Sequence, residues 1–228
     1  RNHPGRVQSL MLITANRQRQ RMTVTSLPAN HVVKLPDYGH HSSAALGDIT
    51  SLGGSRELVN AVQRDLKVPV DYYLMMTPHA VTKAIKQING VAITPPATFT
   101  SHHVRFTRNQ AMQMNSRQVR AFTAPLKNDP QGAGGARYRQ RLVLIAMLSH
   151  TATYRKLVNR PFIAKISGEA VTNAHFSEIL AISDNYRGTS QHVVNNSLED
   201  GDQADRERVG DVARDNLHLA KRTLFGSH

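Results

Sequence analysis

Cysteine is absent from the 228-residue sequence, which excludes disulfides, thiolate metal sites and cysteine nucleophiles. No uninterrupted apolar run reaches the roughly 18 residues that a membrane-spanning helix needs, and no signal-peptide pattern opens the chain. Because the chain starts at Arg1 rather than at a methionine, we expect a processed or truncated form. With 39% apolar residues it is long enough to bury one sizeable core, and we expect a single domain over residues 1–228.

Acidic residues are scarce relative to basic ones. The sequence has 16 Asp and Glu against 29 Lys and Arg, a formal net charge of +13. Such an excess favours polyanions such as nucleic acid, anionic lipid headgroups or wall teichoic acid, although a merely solubilising surface explains the same count. Aromatic residues make up only 5%, and the basic cluster Arg137, Arg139 and Arg141 interleaves a single one, Tyr138. Nucleic-acid binding therefore lacks a stacking platform.

Apolar periodicity predicts alternating strands and helices. An apolar stretch from Ser9 to Ile13, a polar turn and an alternating segment that ends at Leu27 predict a β-hairpin. The segment 125–135 holds three Gly and two Pro in eleven residues, which predicts a mobile loop. A further strand is predicted over residues 68–76, and helices over residues 55–67, 78–88, 109–122, 139–148, 175–185 and 205–219. For the helix over residues 109–122, either Asn109 or Asn115-Ser116 is the predicted cap. This order predicts a layered α/β fold.

Two histidine pairs, His40-His41 and His102-His103, are candidate metal ligands. Adjacent histidines in a strand point to opposite faces, so neither pair forms a chelate by itself, and solvated loop histidines are the preferred interpretation. A nucleophilic triad drawn from Ser26, Ser42, Ser43, His31 and Asp37 lacks the G-x-S-x-G turn that would expose the serine. The sequence therefore predicts neither a metal site nor a serine nucleophile.

Six short segments follow one another along the chain: residues 5–11, 26–29, 68–73, 90–91, 114–122 and 185–187. They resemble the G-R-x-D-[ST]-[LM]-M, S-I-P-R-D, I-P-I-D-[HY]-Y, G-G-V-D-V, L-N-G-E-Q-A-L-A-Y and N-Y-R motifs of the LytR-CpsA-Psr family. The resemblance runs from Gly5 to about Leu219. It implies a layered α-β-α sandwich with a central mixed sheet, lying outside the membrane of a Gram-positive cell. It also implies that the family's first strand and a membrane anchor would precede Arg1.

The resemblance implies a phosphotransferase that moves a polyprenyl-pyrophosphate-linked glycopolymer onto peptidoglycan. A diphosphate substrate calls for guanidinium groups and for carboxylates that hold a divalent cation, which is Mg²⁺ in the family. Most of the charged positions are replaced: the departures are Gln8, Ala29, Ala124, Leu126, Ala133 and Ala136. Each lost phosphate contact forgoes about 1.5 to 3 kcal/mol, so we expect weak or absent activity. We also expect no cofactor, because the metal-holding carboxylates are among the losses.

Basic residues near the glycine-rich loop remain as candidates for phosphate binding. The candidate set is Arg6, Arg137, Arg139, Gln140 and Arg141. Arg139 opens the apolar helix, so its guanidinium and the helix N-terminal amides could face one anion together, and we expect it to be the main anchor. The alternative is an ordinary ion pair between Arg139 and a surface carboxylate.

An apolar stretch follows these arginines. The resemblance places it along the wall of a polyprenyl pocket, whereas an ordinary core helix is the competing interpretation. The residues concerned are Leu142, Val143, Ile145 and Ala146. Three functions remain open: a degenerate family member that binds a polyprenyl-phosphate lipid or wall polymer, an active transferase with an arginine site rebuilt from Arg6, Arg137, Arg139 and Arg141, and a cationic surface protein that binds anionic polymers.

Overall fold

The computed structural model describes residues 7–36, 42–149, 156–185, 189, 192–198 and 203–224. The chain divides into two compact units. Unit 1 comprises residues 1–73 and 191–228, and unit 2 comprises residues 74–190.

The strands of the described residues are β1 (Leu10–Asn16), β2 (Arg21–Leu27), β3 (Val32–Lys34), β4 (Ser43–Ala45), β5 (Leu74–Met76), β6 (Val91–Ile93), β7 (Phe99–Ser101), β8 (Val104–Phe106), β9 (Met112–Met114), β10 (Ala170–Thr172) and β11 (His192–Ser197). The helices are α1 (Leu46–Leu66), α2 (Pro78–Gln87), α3 (Ser116–Thr123), α4 (Gly135–Ser149), α5 (Arg160–Ile166), α6 (Phe176–Asn185) and α7 (Gln203–Leu224). The predicted α/β fold class is confirmed.

Unit 1 contains a mixed three-stranded sheet. The predicted hairpin is present, with β1 antiparallel to β2, and β11 adds parallel to the other edge of β2. The carboxamide oxygen of Asn16 accepts two backbone hydrogen bonds at 3.0 Å, which hold the turn of the hairpin. Helix α7 packs on β1 and on α1. Its Val209 and Ala213 join a core that includes Leu12 and Leu27.

Helix α1 is longer than predicted, because a kink at Gly54 joins two helical segments. Gly54 has a φ of 73°, a conformation that glycine adopts without steric cost. The predicted helix that starts at Ser55 is the second segment, and its apolar face buries Leu58, Val62 and Leu66. The first segment, from Leu46, was not predicted, since its polar and glycine-rich sequence masks the helical periodicity.

Unit 2 is held together by an aromatic cluster between the β7–β8 hairpin and α3. The rings of Phe99 and Phe106 lie 4.9 Å apart, and Phe106 lies 5.3 Å from Phe122 on α3. A capping box at Asn115 and Gln118 starts α3, which satisfies amide groups that would otherwise lack partners. The hairpin and α3 therefore meet through apolar burial that neither element could achieve alone.

Three predicted elements differ at their boundaries. Of the two caps considered for the helix predicted over residues 109–122, the one at Asn115 is present, so the helix starts at Ser116, and residues 112–114 pair with β6 as β9. The strand predicted over residues 68–76 shortens to Leu74–Met76, which pairs with β10. Helix α4 begins at Gly135 rather than at Arg139.

Candidate functional site

The predicted phosphate-binding residues lie at the start of α4, and the helix separates them onto two faces. Because a helix turns about 100° per residue, Arg137, Gln140 and Arg141 share one side, while Arg139 points to the other. Arg6 lies outside the described residues. The structure therefore brings together three members of the predicted set and separates Arg139 from them.

The guanidinium of Arg139 is fully buried and bonded within the protein. Its Nε donates to the carbonyl oxygen of Phe122 at 2.6 Å, and its Nη2 donates to that of Ala124 at 2.9 Å. Its Nη1 lies 2.8 Å and 2.9 Å from the two carboxylate oxygens of Asp129. The predicted alternative of an ion pair is therefore present, although the partner carboxylate is buried rather than on the surface. Phosphate binding by Arg139 stays a prediction.

The loop that leads into α4 is organised around the Asp129 carboxylate. This carboxylate accepts a hydrogen bond from the backbone N–H of Gln131 at 3.0 Å and packs against the Cα of Gly135. A Cβ at position 135 would stand 2.3 Å from one carboxylate oxygen, so only glycine is accommodated here. Backbone hydrogen bonds from Gly132 and Gly135 complete the loop. The segment predicted to be a mobile loop is thus held by specific contacts.

Arg137 and Arg141 share the second face of α4 and differ in their contacts. The Nε of Arg137 is buried and has no hydrogen-bond partner among the described residues. Arg141 is buried and lies 5.1 Å over the ring of Tyr138, a cation–π contact that fixes its side chain. Gln140 is half-buried between them. A buried guanidinium nitrogen that lacks an acceptor costs free energy. Within the described part of the predicted set, Arg137 therefore has a nitrogen that could donate a hydrogen bond to a ligand.

The predicted lipid-contacting residues also divide between the two faces. Val143 is buried in the core that contains Phe106 and Phe122, and Leu142 and Ala146 pack against that core. These contacts favour the competing interpretation of a core helix for these three residues. Ile145 is half-buried outside the described core clusters, four residues after Arg141 and therefore on the face of the arginines.

One face of α4 starts at Arg137 and changes from basic to apolar side chains along the helix. The next residues on it at helical spacing are Arg141, Leu144, Ile145 and Leu148. Leu144, Ile145 and Leu148 are each half-buried. We call these five residues the α4 stripe. An anionic lipid has a charged headgroup and a hydrocarbon tail. A cationic end followed by apolar side chains on one helix face is complementary to both parts.

No group of three or more His, Asp or Glu side chains that could hold a metal ion occurs among the described residues. The loop position of the family's acidic residue is Ala133, and the nearby Asp129 is bonded to Arg139. The described residues around this loop therefore offer no set of carboxylates suited to Mg²⁺, and the absence of a cofactor stays a prediction. His102 and His103 form the turn of the β7–β8 hairpin, both with positive φ, and the pair at positions 40 and 41 lies outside the described residues.

The histidine of the triad that the sequence argues against has another carboxylate as its partner. His31 pairs through Nε2 with the carboxylate of Asp65 at 2.8 Å, and Arg206 lies 3.7 Å from the same carboxylate. Ser26 is buried in β2, where its backbone carbonyl accepts a hydrogen bond from the N–H of Leu198. Asp37 lies outside the described residues. The His31 pair joins the loop after β2 to α1 and α7, which is a structural role within unit 1.

The basic excess is concentrated in unit 2. Residues 74–190 contain 15 Lys and Arg against 4 Asp and Glu, whereas the remainder of the chain contains 14 and 12. Between Asp71 and Glu169 the sequence has one acidic residue, Asp129, and its charge is compensated by Arg139. The exposed side chains of unit 2 therefore carry a positive field that almost no carboxylate offsets. Exposed arginines that contribute to it are Arg105, Arg108, Arg117 and Arg120.

The described residues form a mixed α/β fold in which α4 starts with basic residues. The chain belongs to the LytR_cpsA_psr family, whose model matches residues 1–222. The predicted resemblance to this family is thereby confirmed. Among the described helices, none combines the length and the apolar character that crossing a bilayer would demand.

Sequence relatives are found among teichoic acid transferases, and solved structures share the fold of this chain. The polyisoprenyl-teichoic acid–peptidoglycan teichoic acid transferase TagU of Bacillus cereus (strain AH820) is 27% identical over 184 residues, which are 80% of this chain and 60% of that protein. The chain thus spans about three fifths of that relative's length. The crystal structure of B. subtilis TagV matches with a TM-score of 0.76 and 23% identity, covering 96% of this chain and 92% of the crystallised chain. A structure of TagT bound to LI-WTA matches with a TM-score of 0.72 and 18% identity, covering 93% and 85%.

Sequence reasoning missed the residue that organises the loop. Asp129 was read as part of a flexible glycine-rich segment, yet it is the buried partner of Arg139. A signal was present: Asp129 is the single acidic residue in a long basic stretch, and it precedes Arg139 by ten positions across a loop. A lone carboxylate among so many cations has a strong electrostatic reason to pair with one of them.

Proposed function

We propose that the chain is the extracytoplasmic domain of a cell-envelope protein that binds a polyprenyl-phosphate-linked glycopolymer, with teichoic acid as the favoured polymer, and that its transferase activity is weak or absent. Family membership and the activities that TagU and TagV are named for support the substrate class. The TagT structure with LI-WTA supports a wall polymer as the ligand. Attachment to the membrane through a segment before Arg1 is part of this proposal.

The α4 stripe is the observation that carries the lipid part of the proposal. The Nε of Arg137 is buried and has no acceptor within the part of the chain that the structure describes, and the helix continues on the same face with three half-buried leucine and isoleucine side chains. A phosphate would satisfy that nitrogen through a charge-assisted hydrogen bond, and an isoprenoid chain would cover the apolar residues. Arg137 is thus the proposed headgroup contact, with Gln140 and Arg141 beside it.

The proposed weak activity rests on the positions where uncharged residues stand in place of the charged residues that the resemblance implies. Ala124, Leu126, Ala133 and Ala136 lie on or beside the loop before α4, and none offers a charged group to a diphosphate. Transfer of a phosphoryl group depends mainly on positioning and on neutralising charge, which these side chains do not provide. The Ala124 carbonyl instead accepts a hydrogen bond from Arg139. We also propose that any ligand binding is independent of Mg²⁺, since carboxylates suited to that ion are absent from the described part of the chain.

Binding of a short polyprenyl phosphate tests the lipid part of the proposal. Farnesyl phosphate should bind the wild-type chain more tightly than farnesol, because only the phosphate contacts Arg137. Arg137→Ala should reduce the affinity for farnesyl phosphate by about tenfold or more, the factor expected for one charge-assisted hydrogen bond. Arg117→Ala, which removes an exposed arginine from α3, is the matched control and should have little effect. Equal affinities of the wild-type chain for both lipids would overturn the proposal.

A second candidate function is supported by the charge distribution of unit 2. A cationic surface that binds anionic polymers requires only the basic excess and no lipid site. Binding of a soluble teichoic acid, measured at increasing salt, distinguishes the two functions. A steep loss of affinity with salt, together with no preference for farnesyl phosphate over farnesol, would support the cationic surface alone.

A further inference from the structure

One guanidinium joins the end of α3, the following loop and the first turn of α4. Arg139 donates to the carbonyl of Phe122 in the last turn of α3, to the carbonyl of Ala124 just beyond it, and to the Asp129 carboxylate within the loop. Its cation lies 4.8 Å from the centre of the Phe99 ring, inside the aromatic core of unit 2. Carbonyls at a helix C-terminus attract cations, so the position suits the charge.

The same pair determines how closely the loop approaches α4. The Asp129 carboxylate rests on Gly135, the first residue of the helix, with no room for a side chain there. Arg137 follows two residues later, and Gln140 is the next residue after Arg139. The orientation of the first turn of α4, and with it the direction of the Arg137 side chain, therefore depends on contacts made on the opposite face.

We propose that Arg139 and Asp129 are positioning residues: their buried ion pair fixes the first turn of α4 so that Arg137 and Gln140 meet a lipid phosphate, and neither member of the pair contacts the ligand. This inference rests on the proposed function, and it assigns to Arg139 a role other than that of a direct phosphate anchor. Two observations support it. The guanidinium of Arg139 has no exposed surface, and each of its nitrogens already has a partner within the protein.

The two roles of Arg139 predict opposite effects of removing the Asp129 charge. If Arg139 binds phosphate directly, Asp129→Asn releases a competing anion, and the affinity for phosphate rises or stays unchanged. If the pair positions Arg137 and Gln140, the same replacement loosens the first turn of α4, and the affinity falls. Arg139→Lys keeps the charge but cannot bond to Phe122, Ala124 and Asp129 with one planar group, so it should also weaken binding if geometry matters.

The experiment measures binding of farnesyl phosphate and farnesol to the wild-type chain, Asp129→Asn, Arg139→Lys and the double variant. We expect each single variant to bind farnesyl phosphate about tenfold more weakly, while binding of farnesol changes little. The double variant should be no weaker than either single one, because both replacements break the same pair. A merely structural role would weaken both ligands together, so the difference between phosphate and alcohol is the informative readout.

Thermal unfolding of each variant establishes that the native fold persists at the assay temperature. Gln131→Ala is a milder third variant, since it removes only a 3.5 Å contact to Arg139, and a smaller loss of phosphate affinity is expected for it. Tighter or unchanged phosphate binding by Asp129→Asn would overturn the inference and leave the proposed function standing. Failure of the wild-type chain to prefer farnesyl phosphate over farnesol would overturn the proposed function, and this inference with it.

Discussion

Replacing Arg139 with methionine should cost the protein much of its stability. The side chain is 0% exposed, and it makes two hydrogen bonds to carbonyls and an ion pair with Asp129, whose own side chain is 8% exposed. Methionine can occupy the space against Phe99 but leaves the Asp129 carboxylate and two carbonyl oxygens without their donor. Breaking one side of a buried pair typically costs about 3 to 5 kcal/mol. Against a total stability of about 5 to 15 kcal/mol, the loss should be plain in urea unfolding.

A matched surface pair provides the control. Arg64 bonds to Glu57 at 2.6 Å on α1, but its side chain is 38% exposed. Arg64→Met should therefore cost only about 0 to 1 kcal/mol. The double variant Asp129→Ala with Arg139→Met should lose less than the sum of the two single replacements, because the unpaired carboxylate is gone. A loss below about 1 kcal/mol for Arg139→Met would refute the conclusion that the buried pair organises the loop.

Three further outcomes follow from particular contacts. Gly135→Ala should destabilise the chain by at least about 1 kcal/mol, since its Cβ would overlap the Asp129 carboxylate, whereas Gly168→Ala meets no atom within 4 Å and serves as its control in urea unfolding. The pKa of Glu169 is lowered, chiefly by the hydrogen bond from Lys83, so the stability that this carboxylate contributes is present above its unfolded-state pKa and lost as the pH falls through the lowered value. Melting temperatures of wild type and Glu169→Gln should therefore converge at acidic pH and differ near neutral pH; a constant difference would contradict this. Millimolar Mg²⁺ should not raise the melting temperature, and a clear rise would show that other carboxylates hold the ion.

Elements were predicted correctly where the apolar periodicity and the capping residues indicate the same structure. The hairpin that ends at Leu27 alternates apolar and polar residues, and α2 begins with Thr77 as a capping residue followed by Pro78. Both are present as predicted. The β7–β8 hairpin was not predicted, because its turn places His102 and His103 in the left-handed region that Asn and Gly usually occupy.

The candidate site was predictable in part, for a physical reason. The resemblance and the charge pattern identified the start of α4, and Arg137 and Gln140 remain the proposed ligand contacts. The helix extends back to Gly135, so Arg139 lies within it, four residues before the buried Val143, and faces inward toward Phe122 and Asp129. The glycine-rich sequence before Arg139 gave no sign that the helix extends so far back.

We propose that this family member binds a lipid-linked polymer but transfers it weakly or not at all. A transfer assay distinguishes the two: the chain, and B. cereus TagU beside it, are incubated with a polyprenyl-pyrophosphate-linked teichoic acid, peptidoglycan and Mg²⁺, and the released polyprenyl phosphate is measured by mass spectrometry. We expect release by TagU and little or none by this chain, although farnesyl phosphate still binds to it. Release at a rate comparable with that of TagU would contradict the account and would favour an active site rebuilt around the remaining arginines.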